Sequence, residues 1–150
     1  MKLKIPPAVQ TLIFASIMWL TDQYSSMGSI SFTYQKTIAI ILFVIGALIA
    51  IIAVVQFIRV KTTSDPMHPS KAKQLVSNGI YNYSRNPMYL AILVVLIAWM
   101  LALGNFFNLI IVGSFIWYIT EFQIKPEEIA LTKLFGNKYV DYCKNVRRWI

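Results

Sequence analysis

Apolar residues in this chain are gathered into long uncharged blocks that are separated by polar stretches. One block carries no charged residue from Thr37 to Ile58, and a second carries none from Asn86 to Thr120. A helix of about 20 apolar residues is long enough to cross the hydrocarbon core of a bilayer, which is about 30 Å thick. The first block is therefore predicted to be a membrane-spanning helix.

The second block is too long for a single span, because one helix of that length would extend roughly 50 Å. Gly104-Asn105 lies near its middle and is typical of a turn. We therefore expect a helical hairpin with arms at Pro87–Leu103 and Phe106–Thr120. A shorter apolar segment, Ala8–Leu20, is predicted to be a retained anchor and not a cleaved signal sequence, because no small-residue cleavage pattern follows it.

Charge placement indicates the orientation of these segments. Of 14 lysines and arginines, only Lys36 lies in the segments predicted to be outside, residues 21–36 and 104–105. Since loops rich in Lys and Arg stay in the cytoplasm, both termini and the 59–85 loop are expected there. The net charge of +8 then reflects topology and contact with anionic lipid, and it does not indicate a nucleic-acid partner.

The predicted fold is thus an all-α, polytopic membrane protein. It has about four transmembrane helices, which include the C-terminal helical hairpin, and it ends in a cytoplasmic amphipathic tail. The composition agrees, because only 13% of the residues are charged against about a quarter in an average soluble domain.

The loop before the hairpin is polar and rich in tyrosine. Asn86-Pro87 is predicted to open the third helix, since Asn is a preferred N-cap and Pro fits the first helical position. Arg85 precedes this cap, and a guanidinium beside a helix N-terminus favours a bound carboxylate or phosphate. Gly79 is expected to let the backbone approach a ligand closely. The alternative interpretation is that Asn86-Pro87 only starts a helix. The tyrosines of this region are Tyr81, Tyr83 and Tyr89.

The tail after the hairpin carries a second polar group of residues. Pro126 with Glu127 and Glu128 is typical of a helix start, because acids favour the first turn, and one glutamate is alternatively expected to bind a cation or sugar hydroxyls. Gly136-Asn137 predicts a helix stop that is followed by a second, short amphipathic helix. Arg147-Arg148-Trp149 is expected to lie at the lipid headgroups.

Several of these motifs occur in one order along the chain. The order is Gly79-Ile80-Tyr81, Ser84-Arg85-Asn86-Pro87-Met88-Tyr89, the apolar hairpin, Pro126-Glu127-Glu128, Phe135-Gly136-Asn137-Lys138-Tyr139 and Arg147-Arg148-Trp149. This ordered set, over about residues 60–150, resembles the isoprenylcysteine carboxyl methyltransferase and phospholipid methyltransferase family of integral-membrane enzymes.

The resemblance implies transfer of a methyl group from S-adenosylmethionine to a lipophilic or amphiphilic acceptor. This acceptor is an isoprenylcysteine-like carboxylate or a lipid headgroup that enters from the membrane. The chain is then one methyltransferase-like domain, with N-terminal spans in residues 1–58 and the catalytic core in residues 59–150. The cofactor is expected to bind from the cytoplasm.

The resemblance also implies which residues form the site. The cofactor-binding residues are Lys73, Gln74, Leu75, Val76, Tyr81, Asn86, Pro87, Met88, Tyr89 and Glu127. Arg85 and Glu128 are expected to be catalytic, and Gln123 is expected to bind the substrate. Asn86 stands where many members have histidine, and Gln123 stands near the position of a substrate-binding arginine in the prenylcysteine enzymes. No metal is expected, because His68 is the only histidine.

Two other functions remain open at this level. A sterol-reductase-like membrane enzyme has a similar Arg-x-Pro-x-Tyr loop and uses NADPH, so cofactor binding distinguishes it. A non-catalytic membrane scaffold leaves the polar residues of both cytoplasmic segments without a role. A small exporter is disfavoured, because the predicted spans contain no ionisable group to couple transport.

The distribution of basic residues predicts the topology directly. In a Cys143→Ser background, Ser70→Cys should be labelled by a membrane-impermeant maleimide only after the cells are opened, because the 59–85 loop is cytoplasmic. Efficient labelling of position 70 in intact cells would contradict this arrangement.

Overall fold

The computed structural model describes residues 5–25, 28–59 and 74–150. Within these ranges the chain is helical, and the only β-type pairing is an isolated bridge between Ser29 and Asn105. The helices are α1 (Pro7–Tyr24), α2 (Gln35–Arg59), α3 (Pro87–Leu103), α4 (Asn108–Ile119), α5 (Lys125–Phe135) and α6 (Asn137–Asn145). The predicted all-α class is confirmed over the described residues.

Among the described residues, α2 is the one helix that is both long and apolar enough to cross a membrane. Helix α3 is also apolar but has only 17 residues. Helix α1 extends beyond the predicted Ala8–Leu20 at both ends, over 18 residues. An apolar helix of spanning length is thus present, and the number of spans stays a prediction.

Helices α2 and α3 pack through small residues. The buried residues of α2 are Ala39, Gly46 and Ala53, which lie seven positions apart. A Cβ atom at Gly46 would lie 2.8 Å from Val95 Cγ2 and 3.1 Å from the Ala91 carbonyl oxygen of α3. Large apolar side chains elsewhere on α2 are exposed, among them Ile40, Phe43 and Ile51. Small residues facing protein and large apolar residues facing outward are typical of a helix in lipid.

The two segments predicted to lie outside meet at one end of the bundle. Gly104 ends α3 in the left-handed region at φ 72°, and its carbonyl accepts a hydrogen bond from the Ile30 N–H at 2.7 Å. The Phe106 N–H donates to the Gly28 carbonyl at 2.8 Å. The predicted turn at Gly104-Asn105 and the first arm of the hairpin are confirmed.

The second arm differs from its prediction. It begins at Asn108, and it continues without a loop through a π-helical turn, Thr120–Ile124, into α5. Pro126 does lie in the first turn of α5, but this turn prolongs an existing helix. Proline lacks an N–H, and its ring clashes with the carbonyl four residues earlier, so a locally widened turn accommodates it.

The tail folds as the sequence predicts at its second helix. Helix α5 ends at Phe135, and Gly136 adopts a positive φ of 57° before α6 begins. Tyr139 is the buried residue of α6. The glycine stop and the following short helix are therefore confirmed.

The close approach of α2 and α3 predicts a position-specific effect of side-chain volume. Gly46→Leu should lower the melting temperature of the protein in detergent and reduce its free energy of unfolding by about 1–3 kcal/mol, because overpacking forces the two helices apart. Gly113→Leu is the matched control, since nothing lies within 4 Å of a Cβ atom there. Equal melting temperatures for the two variants would contradict the packing.

Candidate functional site

The loop before α3 is held against the end of α2 and against α6. Tyr81 lies in a 3₁₀ turn, Gly79–Asn82, and is 4% exposed. Its ring meets the Phe57 ring edge-on at 5.4 Å. The Tyr142 hydroxyl donates to the Tyr81 carbonyl at 2.6 Å. Residues from the loop and from the tail therefore form one structural unit.

Gly79 has a packing role in this unit. It has a φ of +61°, and a Cβ atom there would lie 1.8 Å from the side-chain amide of Gln56 on α2. With its amide oriented to satisfy its neighbours, Gln56 donates to the Asn78 carbonyl and accepts from the Ile80 N–H. The missing side chain of Gly79 thus makes room for Gln56, and the close approach of a ligand to this backbone stays a prediction.

Two arginines converge on Glu128 of α5. Arg148 donates from Nε to Glu128 Oε1 at 3.0 Å and from Nη2 to Oε2 at 2.8 Å. Arg85 Nη2 lies 3.3 Å from Glu128 Oε1, and both of these side chains are less than 20% exposed. Arg85 Nη1 also donates to Cys143 Sγ of α6. Glu128 thus joins the loop to the end of the tail.

Backbone contacts strengthen the same junction. The Arg85 N–H donates to the Arg147 carbonyl at 3.0 Å, and Asn86 Nδ2 donates to the Arg148 carbonyl at 2.9 Å. Asn86 does occupy the N-cap position of α3, but its side chain makes no capping hydrogen bond. The prediction that Asn86-Pro87 opens α3 is confirmed, although the side-chain amide of Asn86 bonds to the tail and its oxygen does not cap the helix.

The C-terminal Arg-Arg-Trp motif is also used differently from its prediction. Arg148 turns to Glu128, and Trp149 packs against the apolar core that includes Met18 and Phe115. Arg147 is exposed. Only Arg147 has the side-chain exposure expected of a headgroup anchor.

Glu127 lies beside this cluster but has a different environment. It accepts a hydrogen bond from the Tyr89 hydroxyl of α3, and no Lys or Arg of the described residues pairs with it. Burial raises the pKa of Glu127 from 4.5 to about 8, the Tyr89 hydrogen bond opposes this increase, and the neighbouring Glu128 adds to it. Glu127 is thus a carboxyl group whose ionised form has no cationic partner among residues 5–25, 28–59 and 74–150.

Three further tyrosines lie in the same unit of loop and tail, and of these Tyr81 and Tyr139 are buried while Tyr142 is partly buried. Burial raises the pKa of Tyr81, Tyr139 and Tyr142 above its ordinary value in each case. Their hydroxyls therefore stay protonated and neutral at physiological pH. The cluster offers aromatic faces and hydroxyl donors, and its ionic groups are the arginines and glutamates.

The structure brings most of the predicted site residues together. Val76, Tyr81 and Met88 share one apolar cluster, Arg85 contacts Glu128, and Tyr89 contacts Glu127. Pro87 is buried, Leu75 is partly buried and Gln74 is exposed. Lys73 and His68 lie outside the described residues.

Gln123 lies in the π-helical turn, four residues before Glu127, and is 1% exposed. Its Nε2 donates to the Ile5 carbonyl at 2.7 Å, which ties the start of α1 to the end of α4. Arg148 was missed by the sequence reasoning. No local sequence signal marks Arg148 as a partner of Glu128, because the pairing depends on how the end of the tail packs against α5.

The different partners of the two glutamates predict opposite effects on stability. Without ligand, Glu128→Gln should lower the free energy of unfolding by about 2–3 kcal/mol, because the largely buried Arg85 and the partly exposed Arg148 lose their counterion. Glu127→Gln should be neutral at pH 5 and stabilising at pH 9. A carboxyl group whose pKa rises on folding, from 4.5 to about 8, makes stability fall as pH increases between those values. Thermal unfolding at both pH values measures these effects, and equal, pH-independent losses would contradict the assignment.

Comparison with known proteins identifies the family of this chain. A family model described as phospholipid methyltransferase matches residues 34–138. An uncharacterized protein of Haemophilus influenzae is 46% identical over 63 residues, which is 42% of this chain and all of that protein. The protein-S-isoprenylcysteine O-methyltransferase of Schizosaccharomyces pombe is 32% identical over 77 residues, 51% of this chain and 33% of the enzyme.

A probable protein-S-isoprenylcysteine O-methyltransferase of Oryza sativa subsp. japonica is 24% identical over 138 residues, 92% of this chain and 72% of that protein. No solved structure gives a significant match. The family match covers both the α2–α3 pair and the residues around Glu127 and Glu128. This chain therefore belongs to the phospholipid methyltransferase family and is a membrane methyltransferase.

Proposed function

We propose that the chain transfers a methyl group from S-adenosylmethionine to a lipophilic or amphiphilic acceptor at the cytoplasmic face of a membrane. The cofactor binds between the loop of residues 74–89 and helices α5 and α6, and the acceptor enters from lipid. One observation carries this proposal. Glu127 is a carboxyl group without a cationic partner among the described residues, whereas two arginines neutralise the adjacent Glu128.

The residues fit the cofactor at two charged positions. S-adenosylmethionine supplies a methyl group on a sulfonium cation, and it also carries a carboxylate. Glu127 is the acid to face the cation, and the tyrosine rings around it favour a cation over their faces. Arg85 Nε is buried and has no hydrogen-bond partner, so Arg85 is the donor to face the carboxylate. Gln74, Leu75, Val76, Asn86, Pro87, Met88 and Lys73 complete the proposed cofactor-binding set.

Glu128 receives a different role from Glu127 in this proposal. Its two carboxylate oxygens are taken by Arg85 and Arg148, so it acts as a positioning residue that orients Arg85. The sequence-based expectation was that Arg85 and Glu128 are both catalytic. In this proposal Arg85 remains a catalytic residue, because it contacts the cofactor. Glu128 holds the Arg85 side chain in position and does not contact the cofactor itself.

The protein contributes mainly orientation and exclusion of water. Holding two reactants in line accounts for a large share of the acceleration of a displacement reaction. The tail closes over the loop through hydrogen bonds from the Arg85 N–H and the Asn86 side-chain amide to tail carbonyls, and buried tyrosines lie in the same region. This enclosure strengthens the attraction between the Glu127 carboxylate and a cation, because the local dielectric constant is low.

The unequal distribution of basic residues between the two ends of the bundle supports a cytoplasmic position for the candidate site. Arg85, Arg147 and Arg148 lie with the candidate site, whereas Lys36 lies near the opposite end, where Ile30 meets Gly104. An excess of basic residues on one side marks the cytoplasmic face. The same proposal gives both termini and the 59–85 loop a cytoplasmic position in a multi-pass arrangement.

Calorimetry on the purified protein should detect binding of S-adenosylmethionine and S-adenosylhomocysteine but not of NADPH. Glu127→Gln should weaken the binding of S-adenosylmethionine by about 2–5 kcal/mol, because the sulfonium cation of the bound cofactor loses its carboxylate partner. The same variant should weaken the binding of S-adenosylhomocysteine much less, since the thioether of this ligand is uncharged. Wild-type affinity for S-adenosylmethionine should increase as pH rises through about 8, where Glu127 ionises.

Two further variants test the proposed contact with the cofactor's carboxylate. Arg85→Ala should weaken the binding of both ligands equally, because both carry this carboxylate. Lys133→Ala removes a basic residue from the last turn of α5 and should leave both affinities unchanged. Unchanged affinity for S-adenosylmethionine in Glu127→Gln, or binding of NADPH alone, would refute the proposed cofactor site.

A further inference from the structure

A side-chain amide near the end of α2 holds the loop that precedes α3. Gln56 lies in the uncharged stretch of α2, where a polar group is costly unless its hydrogen bonds are made. In the orientation that satisfies its neighbours, its amide donates to the Asn78 carbonyl at 3.0 Å and accepts from the Ile80 N–H at 3.2 Å. Both bonds go to the backbone at the start of the 3₁₀ turn, Gly79–Asn82. One amide of α2 therefore supplies both a donor and an acceptor to this turn.

Gln56 takes the place of a local cap for the 3₁₀ turn. Asn78 occupies the N-cap position, but its side chain makes no capping hydrogen bond. A capping side chain ordinarily accepts from the N–H of the second or third residue, and Ile80 is the second residue of this turn. Gln56 accepts from that N–H. The Asn78 carbonyl, to which Gln56 donates, also accepts from the Tyr81 N–H at 3.2 Å. The conformation around Tyr81 thus depends on a residue of α2.

The capped turn carries Tyr81, which belongs to the expected cofactor-binding set. Phe57 follows Gln56 on α2, and its ring packs edge-on against the Tyr81 ring at 5.4 Å. Burial, Tyr142 and Glu127, in that order, raise the pKa of Tyr81, so Glu127 is close enough to act on the Tyr81 hydroxyl. The end of α2 therefore fixes a side chain that lies near the proposed counterion of the cofactor.

Space for the Gln56 amide is provided by Gly79. A Cβ atom at Gly79 would collide with this amide, and its φ of +61° is one that glycine adopts without strain. A larger residue at position 79 would displace the amide from the turn. The contact can therefore be disrupted from either side, by changing the amide or by filling the space beside it.

We propose that Gln56 is a positioning residue for the cofactor site and holds the turn containing Tyr81 in the conformation that receives S-adenosylmethionine. This inference rests on the proposed methyltransferase function. It extends the site into α2, whereas the sequence-based prediction assigns residues 1–58 to the N-terminal spans. Gln56 acts through the turn and does not contact the cofactor. Its loss should therefore weaken the binding of S-adenosylmethionine and of S-adenosylhomocysteine by the same factor.

The opposite end of α2 repeats the arrangement and provides matched controls. Gln35 Nε2 donates to the Leu101 carbonyl at 2.6 Å, and Gln35 Oε1 accepts from the Phe32 N–H at 3.3 Å. A Cβ atom at Gly104, which also has a positive φ of 72°, would lie 2.7 Å from Gln35 Nε2. This second contact has the same chemistry and lies at the end of the bundle where Ile30 meets Gly104, away from the candidate site.

Cofactor affinity and melting temperature, measured on the full chain in detergent, test this inference. Gln56→Met should weaken S-adenosylhomocysteine binding by about tenfold, the size expected when one hydrogen bond that supports the bound conformation is lost. Gly79→Ala should act in the same direction, because its Cβ atom displaces the amide. Gln35→Met and Gly104→Ala should lower the melting temperature by similar amounts but keep the wild-type affinity. A residue that only stabilises the fold would change the melting temperature and not the affinity.

The outcomes separate this inference from the proposed function. If S-adenosylhomocysteine does not bind the wild type, the proposed function itself fails. If it binds and folded Gln56→Met keeps the wild-type affinity, or if the variants at both ends of α2 lose affinity equally, the positioning role is refuted. Amide hydrogen exchange on the wild type decides the matter where a variant does not fold. Binding of S-adenosylhomocysteine should slow exchange of the Ile80 N–H and leave that of the Phe32 N–H unchanged, and an unchanged rate at Ile80 would overturn the inference.

Discussion

The arrangement of the site depends on one carboxylate, Glu128, which two arginines share. Arg85 approaches from the loop before α3, and Arg148 approaches from the end of the tail. Segments more than sixty residues apart are thereby brought to the first turn of α5. Both of these arginines pair with Glu128, and within the described part of the chain the partner of Glu127 is the Tyr89 hydroxyl. The proposed chemistry follows from this asymmetry between two adjacent glutamates.

Helix packing holds Tyr89 in position beside Glu127. The small residues of α2 bring it close to α3, and α3 carries Tyr89 to Glu127. The π-helical turn joins α4 to α5 without a loop, so the orientation of the glutamates is set by a continuous helix. A loop at this point would let Glu127 and Glu128 rotate relative to Tyr89. The widened turn that precedes Pro126 therefore fixes the direction in which α5 presents its two glutamates.

The sequence predicted those features that depend on local patterns. The α3 boundaries, the turn at Gly104-Asn105 and the stop at Gly136 follow from apolar length and glycine conformation, and all three appear in the structure. The ordered motifs also predicted the family. The sequence failed where a partner is distant. Neither the pairing of Arg148 with Glu128 nor the filling of the Gly79 gap by Gln56 has a local signal, because each depends on how the helices pack.

Counting protons during cofactor binding tests the central claim most directly. Calorimetry at pH 7 in two buffers of different ionisation enthalpy gives the number of protons released when S-adenosylmethionine binds. Since the pKa of Glu127 is about 8 in the free protein, a cation beside it should release about one proton more from the wild type than from Glu127→Gln. An equal count for the two proteins would contradict the role of Glu127 as the cofactor's counterion.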